Sequence, residues 1–255
     1  MDTRKDNTDT KPTVETVLEV EHVYKSFGEN HVLADFSLQI SRGESVVVLG
    51  KSGSGKSVLI KCIIGLLQPE SGHIRIFGEE VTEMNETQLD KIRARVGFLF
   101  QSNALYDSMT VRDNLEFPLR RHWIHQHQEE VNKMVLDALA DVGLSHTIDM
   151  MPAELSGGMR KRIALARTLI LKPDIILYDE PTTGLDPITG REIIGLMNDI
   201  KHKYNTTSLI ISHDLNCVRM TSDRVVVLVE GRCYANDSYE RLCRNTDSTV
   251  KQFFE

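Results

Sequence analysis

SVVVLGKSGSGKS, residues 45–57, decides the fold, because a short apolar run passes there directly into a loop of glycine and serine. An apolar run of this length is typical of a buried strand in a parallel sheet. Apolar residues then recur at helical spacing, which predicts a helix from Lys56 to about Leu67, ended by Pro69. A strand, a glycine-rich loop and a helix in this order predict an α/β fold.

The loop in this stretch fits the pattern G-x-x-x-x-G-K-[ST], which binds the phosphates of a nucleotide. Its glycines let backbone N–H groups turn inward, and the helix N-terminus adds the positive end of its dipole. Lys56 is expected to reach the β- and γ-phosphates, and Ser57 to ligate Mg²⁺. The predicted phosphate-binding residues are Gly50, Ser52, Gly53, Ser54, Gly55, Lys56 and Ser57. The alternative, a solvated turn, leaves the flanking strand and helix unexplained.

Two acids end another apolar run, IILYDE at residues 175–180. Ligands of open parallel sheets bind beyond the carboxyl ends of the strands, so both acids are expected beside the phosphate loop. Asp179 is expected to hold Mg²⁺, directly or through water, and Glu180 to orient and deprotonate an attacking water. The alternative is an acidic turn before Pro181 that only caps the strand.

Gln101 and His213 follow two further apolar runs, in VGFLFQ and IISHD. Gln101 is expected to contact both Mg²⁺ and the attacking water. His213 is expected to donate a hydrogen bond to the γ-phosphate and to hold the water. Taken singly, each has a plainer reading, a solvent-facing glutamine and a structural histidine, but their place after predicted parallel strands favours the catalytic one.

LSGGM, residues 155–159, which we call the signature, predicts a second anion-binding helix end. Ser156 suits the N-cap, and Gly157 and Gly158 expose N–H groups in the first turn. One nucleotide cannot use two such ends that lie far apart on one chain, so we expect a head-to-tail homodimer with two ATP sites. Asp186, in TGLD, is then expected along the dimer seam near the partner's phosphate loop. An ordinary helix cap is the alternative; the predicted helix carries a basic face that includes Lys161 and Arg167.

Composition limits the remaining function classes. The formal net charge of −7 argues against a nucleic-acid-binding surface, and the four cysteines show no metal-binding spacing. No run approaches the length of a membrane span, and the polar N-terminus does not read as a signal peptide. We expect a disordered tail over residues 1–14, a single domain over 15–240 with a helical subdomain inserted at about 102–160, and a C-terminal helical tail over 241–255.

Together these motifs resemble those of ABC ATPases, in the family's order: GKSGSGKS, Gln101, LSGGM, IILYDE, TGLD and His213. The resemblance covers about residues 17–235. It implies a P-loop NTPase core with a mostly parallel sheet, an N-terminal antiparallel β-subdomain and an inserted helical subdomain. It also implies ATP and Mg²⁺ as ligands and Phe27 as the aromatic residue that stacks on adenine, with Tyr24 as the second choice.

A narrower resemblance is to the ATPases of MCE-associated, Mla-type lipid transporters. It rests on FLFQSNALYDSMTVRDNLEFPLR, MPAELSGGM and GLDPITG, and on Met159 as the fifth signature residue. The resemblance implies an integral membrane permease, an MCE-domain protein, a small STAS-domain protein and a peripheral location on the cytoplasmic face of the inner membrane. Open alternatives are another ABC transporter, a soluble ABC protein such as an iron–sulfur assembly ATPase, and a P-loop kinase.

Three smaller segments also carry predictions. The segment after Gln101 is rich in apolar residues, and we expect Tyr106 and Met109 to line a groove that receives the permease. His122, His125, His127 and Trp123 form a cluster that favours a solvated helix or loop. Val250, Phe253 and Phe254 share one helical face, which packs either on the chain's own sheet or on a neighbouring subunit.

Overall fold

The phosphate loop leaves a six-stranded sheet in a computed structural model that describes residues 15–122 and 127–255. The strand order is β10-β9-β3-β8-β7-β6. These strands are β3 (Ser45–Leu49), β6 (Val96–Leu99), β7 (Ile175–Asp179), β8 (Thr207–Ser212), β9 (Arg224–Val229) and β10 (Arg232–Asp237). All neighbouring pairs are parallel except β9 and β10. The predicted tail 1–14, Trp123 and His125 lie outside the described residues.

A second, antiparallel sheet has the strand order β2-β1-β4-β5. Its strands are β1 (Thr16–Phe27), β2 (Asn30–Ser41), β4 (Ser71–Ile76) and β5 (Glu79–Glu80). The turn between β1 and β2 lies at Gly28 and Glu29. The two sheets together confirm the predicted mostly parallel core and the antiparallel N-terminal part.

The helices α1 to α9 follow in chain order. They are α1 (Lys56–Ile63), α2 (Glu86–Arg95), α3 (Val111–His122), α4 (Gln128–Asp141), α5 (Gly157–Leu169), α6 (Pro187–Tyr204), α7 (Leu215–Thr221), α8 (Tyr239–Cys243) and α9 (Ser248–Lys251). Helices α3, α4 and α5 enclose a buried apolar cluster of their own, which includes Leu115, Leu139 and Ile163. A helical part is therefore inserted between β6 and β7, while its exact limits and those of the tails stay predictions.

Two other apolar clusters lie on opposite faces of the six-stranded sheet. One joins it to α1, α2 and the antiparallel sheet, and includes Phe36 and Ile60. The other joins it to α5, α6 and α7, and includes Tyr178 and Ile193. Val250 is buried in this second cluster, and Phe253 and Phe254 pack against it, so the C-terminal apolar face packs on the chain's own core.

The ends of three elements near the site are set by local backbone features, and that of α1 differs from the prediction. Helix α1 ends at Ile63 rather than near Leu67, because Gly65 adopts φ 68° and its N–H returns to Cys62 O. Strand β6 ends at Leu99, so Gln101 lies in the turn beyond it. Helix α6 begins at Pro187. Proline is well suited to the first helical position, and Asp186 caps that helix.

Candidate nucleotide site

The phosphate loop lies between β3 and α1 and needs glycine at Gly55. This residue has φ 97°, and a Cβ there would lie 2.7 Å from the backbone oxygen of Val32 on β2. A side chain would thus be strained by its backbone conformation and would clash with the neighbouring strand. Gly53 has φ 79°, and a Cβ there would meet open space.

Lys56 is held inside the loop, with 6% of its surface exposed. Its Nζ donates hydrogen bonds to Gly50 O at 2.8 Å and Lys51 O at 3.0 Å. The same nitrogen lies 3.7 Å from Glu180 Oε1. Burial lowers the pKa of Lys56, and the nearby carboxylates of Glu180 and Asp179 oppose that shift. The ammonium group therefore sits between the phosphate loop and the end of β7.

Ser57 and Asp179 meet directly beneath the loop. Ser57 Oγ donates to Asp179 Oδ1 at 3.1 Å. Burial raises the pKa of the Asp179 carboxyl, while the hydrogen bond from Ser57 opposes the rise. The structure thus brings together two of the three residues predicted to hold Mg²⁺.

Glu180 leaves the sheet in a strained conformation. Its φ is 50°, in the left-handed region that a residue with a Cβ rarely adopts, while its N–H still pairs with Ile211 O on β8 at 2.9 Å. Its carboxylate lies 2.8 Å from His213 Nδ1, and the Thr183 hydroxyl donates to Glu180 Oε2 at 3.4 Å. The acid is 8% exposed and is held from three sides by Lys56, His213 and Thr183.

Most of the predicted nucleotide-binding residues line one cleft of about 440 Å³, whereas Gly50, Ser54 and Asp179 belong to the same loop and strand end but are not among its walls. Its walls are Phe27, Val32, Ser52, Gly53, Gly55, Lys56, Ser57, Val58, Gln101, Glu180 and His213. Phe27 is 50% exposed, and Lys25 Nζ lies 5.4 Å from the centre of its ring. Tyr24, the second choice for the adenine contact, does not line the cleft. Gln101 lines the cleft from the turn after β6.

The cleft fits a nucleotide with its metal ion. Ser54 Oγ is buried and, among the described residues, has no hydrogen-bond partner, so it is a polar atom that a phosphate oxygen could satisfy. Ser57, Asp179 and Gln101 offer hydroxyl, carboxylate and amide oxygens, the hard ligands that Mg²⁺ prefers. The donor set at this edge of the sheet therefore matches the predicted ligands.

Ser156, Gly157 and Gly158 line a separate cleft of about 560 Å³ together with Asp186. We call it the signature cleft, and the cleft beside Lys56 the phosphate-loop cleft. Ser156 caps α5 by accepting a hydrogen bond from Met159 N at 3.2 Å. Asp186 caps α6, and the hydrogen bond from the Thr189 hydroxyl lowers the pKa of its carboxyl. The two clefts share no lining residue. Within one chain, the structure keeps the two predicted anion-binding ends apart.

Three residues of the site escaped the sequence prediction. Thr183, which holds Glu180, lies in TGLD and could have been noticed as a hydroxyl near the acids. Val32 and Val58 line the cleft, but Val32 comes from the other sheet, and no local pattern indicates that contact.

Within the described residues, no helix is both long and apolar enough to cross a bilayer.

Comparison with known proteins gives the same family for sequence and fold. The model of the family "ABC transporter" matches residues 33–183. A probable ribonucleotide transport ATP-binding protein, mkl, of Mycobacterium tuberculosis is 42% identical over 92% of this chain, which spans 66% of that relative's length. The intermembrane phospholipid transport ATP-binding protein MlaF of Haemophilus influenzae is 36% identical over 94% of this chain and 91% of its own length.

Other similar proteins have different names and roles. A methionine import ATP-binding protein, MetN, of Brucella abortus is 37% identical over 92% of this chain and 63% of its own length. A solved dimeric ATP-binding cassette, in a post-hydrolysis state with ADP and Pi, has a TM-score of 0.80 and 32% identity, covering 87% of this chain and 98% of that one. On its motifs, its fold and these similarities, this chain belongs to the ABC transporter family and is one of its ATPase cassettes.

Proposed function

We propose that this chain is the ATP-hydrolysing subunit of an ABC transporter that moves phospholipids or related lipids across the cell envelope. The observation that carries the catalytic part is the position of Glu180. Its carboxylate lies beside the phosphate loop, between Lys56 Nζ at 3.7 Å and His213 Nδ1 at 2.8 Å. That arrangement suits a general base that orients one water molecule.

The reaction is phosphoryl transfer to water. The water oxygen forms a bond to the γ-phosphorus, its proton passes to Glu180, and the bond from that phosphorus to the bridging oxygen of ADP breaks. Lys56 and the inward N–H groups of the loop neutralise the charge that develops on the phosphate. His213 holds the Glu180 carboxylate and is placed to contact the γ-phosphate.

Ser57, Asp179 and Gln101 would hold Mg²⁺, which when bound supplies positive charge next to the β- and γ-phosphates. Gln101 additionally borders the place of the attacking water. Phe27 also lines the cleft, and its exposed aromatic ring offers a face for adenine.

A head-to-tail homodimer would complete each site. The cleft of Ser156, Gly157 and Gly158 has a helix N-terminus for an anion but shares no residue with the phosphate-loop cleft. In the proposed dimer, each ATP lies between one chain's phosphate loop and the other chain's signature, with Asp186 along the seam. The dimeric cassette of similar fold supports this arrangement.

A groove of about 440 Å³ on the helical part is a candidate permease contact. Its lining comes partly from α2 and β6 and includes four phenylalanine or tyrosine rings, those of Phe98, Phe100, Tyr106 and Phe117. Tyr106 is 42% exposed, and its ring centre lies 4.8 Å from that of Phe117. Met109 does not line this groove; its carbonyl accepts a hydrogen bond from the buried Asn114 instead. We therefore place the contact at Tyr106 rather than Met109.

The relative MlaF supports lipid as the cargo, because the match with this chain covers 91% of the length of MlaF. The proposed partners are an integral membrane permease, an MCE-domain protein and a STAS-domain protein, with this chain on the cytoplasmic face of the inner membrane. The names of mkl and MetN point to other cargoes, so transport of a different solute is the second candidate.

A tagged Glu180→Gln variant tests both parts. Purified, it should bind ATP but hydrolyse it about 10²- to 10⁴-fold more slowly than the wild type, because the base is lost while the shape is kept. Recovered from detergent-solubilised membranes, it should bring with it a polytopic permease, an MCE-domain protein and phospholipid, all identified by mass spectrometry.

The matched control is the double variant Glu180→Gln, Tyr106→Asp, which should bind ATP equally but lose the permease. A different permease without lipid would remove the cargo proposal and keep the ATPase. Recovery of no membrane protein would favour a soluble ABC protein such as an iron–sulfur assembly ATPase. Transfer of phosphate to a small acceptor instead of water would favour a P-loop kinase.

A further inference from the structure

Lys161 is a buried lysine that the proposed mechanism does not use. The sequence places it on the basic face of α5, but only 1% of its surface is exposed. Among the described residues, its Nζ has main-chain oxygens as partners: Gln101 O at 3.1 Å and Phe100 O at 3.5 Å. A buried ammonium without a carboxylate in contact is costly, which points to a role other than stability.

The loop that Lys161 holds has an unusual backbone. Asn103 and Ala104 have φ values of 65° and 51°, so two successive residues with a Cβ are left-handed. Asparagine tolerates this region, whereas alanine does so only when the surroundings impose it. Arg167, also on α5, donates to Ala104 O at 2.6 Å and Asn103 O at 3.1 Å. One helix therefore holds four carbonyls of the loop that follows β6.

Helix α5 joins the two clefts through these contacts. Its N-cap, Ser156, lines the signature cleft. Its buried Lys161, in the second turn, holds the backbone of Gln101, and Gln101 lines the phosphate-loop cleft. A displacement of the signature relative to Gln101 must therefore break the hydrogen bonds from Lys161 and Arg167.

We propose that Lys161 is a positioning residue that ties the Gln101 loop to helix α5, so that Gln101 in one cleft and Ser156 in the other move as one unit. This rests on the proposed function, since Gln101 is taken to act in hydrolysis. In the dimer, each chain contributes Gln101 to one ATP and Ser156 to the other. Lys161 then couples the geometry of the two ATP sites.

The variant Lys161→Met tests this, because it removes the ammonium and keeps an unbranched chain of similar length. Gln101 should lose its position, and a misplaced group in an active site lowers kcat by roughly 10- to 100-fold. Affinity for ATP should stay unchanged, since the phosphate loop is untouched. The midpoint of thermal unfolding should stay the same or rise, because an apolar side chain replaces a buried charge.

A double-mutant cycle separates positioning from a structural role. If Lys161 acts through Gln101, then adding Lys161→Met to Gln101→Ala should lower kcat no further. The proposal is overturned if the losses of kcat in the two single variants multiply in the double variant. It is also overturned if Lys161→Met keeps the kcat of the wild type, or if its kcat falls in step with its thermal stability. Should Lys161→Met fail to fold, Lys161→Gln is measured in the same way.

Thr168→Val is the matched control on the same helix. Thr168 Oγ1 donates to Ala164 O of its own helix at 2.9 Å and lies 3.3 Å from Phe98 O, so the variant also removes a polar contact between α5 and the backbone before Gln101. It should leave kcat unchanged, because its partner lies inside β6 and not in the loop. A loss equal to that of Lys161→Met would contradict a specific role for Lys161.

Hydrogen exchange keeps the test independent of turnover. In the full chain, the amides of residues 101–106 should exchange faster in Lys161→Met than in the wild type, with those of residues 50–57 unchanged. If the wild type does not hydrolyse ATP, the proposed function fails, yet faster exchange still supports the tie between loop and helix. Unchanged exchange of residues 101–106 would overturn it.

Discussion

Glu180 combines a strained backbone with three side-chain neighbours, and this combination is what aims its carboxylate. A residue with φ 50° costs free energy, on the order of 1–3 kcal/mol, unless the surroundings hold it. The N–H bond to Ile211 O and the contacts with His213 and Lys56 provide that hold. The position of the proposed base is thus set by β7 and β8 and not by the loop alone.

Phe27 and Tyr24 make a matched pair for testing the adenine contact. Phe27 lines the cleft and Tyr24 does not, although both are exposed on β1. Because stacking of a base on an aromatic ring contributes about 1–3 kcal/mol, Phe27→Ala should weaken ATP binding by roughly 5- to 150-fold. Tyr24→Ala should leave the affinity unchanged. Calorimetric titration of both variants decides, and the reverse ranking would move the adenine to the other ring.

At this scale, the sequence predicted the residues that follow local patterns. The phosphate loop, Asp179, Glu180 and Ser156 all sit in short motifs whose spacing carries the chemistry. Val32 and Lys161 could not be predicted in their present places, because their contacts join distant parts of the chain. The sequence predicted that Lys161 lies on a basic face of α5. That prediction was wrong, because the loop after β6 packs against the helix and buries this lysine.

At the scale of elements, β1 depends on a bulge next to β4. The register between β1 and β4 shifts between Glu21 and Tyr24, and His22 lies there with φ 50°. Gly72, near the start of β4, has φ 94°, and a Cβ on it would lie 2.3 Å from His22 O. A backbone atom cannot move aside as a flexible side chain can, so this crossing requires glycine.

Gly72→Ala should therefore lower the free energy of unfolding by more than Gly78→Ala does. Gly78 has a similar φ of 78°, but a Cβ there meets nothing within 4 Å. Each variant carries the penalty of alanine at positive φ, on the order of 1 kcal/mol, and only Gly72→Ala adds a clash. Urea unfolding of both measures the difference. Equal losses would mean that the bulge adapts to the side chain.

The ends of the elements were less predictable than their order. Helix α1 stops early because Gly65 turns the chain, which the strong apolar pattern up to Leu67 concealed. Helix α6 begins with a cap formed by Asp186 and Pro187, a signal that is present in the sequence, where Asp186 was assigned to the dimer seam instead. Helix α7, with seven residues, was not predicted.

At the scale of the whole molecule, the two clefts decide how many chains make one site. The phosphate-loop cleft is lined by Glu180, Lys56 and two of the proposed oxygen ligands, Ser57 and Gln101. The signature cleft contains a helix N-terminus, and the two clefts have no lining residue in common. This separation is the physical basis for the proposed dimer. The sequence predicted the dimer on the same ground, since it shows two anion-binding helix ends that one nucleotide cannot use on one chain. The limits of the domain and of its tails remain predictions.

The most direct test of the central claim is the mass of the Glu180→Gln variant with and without ATP and Mg²⁺, by light scattering after gel filtration. Slow hydrolysis should preserve the bound ATP, so we expect a dimer with ATP and a monomer without it. Adding Ser156→Arg should leave ATP bound to a monomer, because the signature cleft is blocked. Adding Ser238→Arg, at the N-cap of α8, is the control and should leave the dimer intact. The proposed dimer is contradicted if Glu180→Gln binds ATP yet stays monomeric. It is also contradicted if the dimer persists when Ser156→Arg is added.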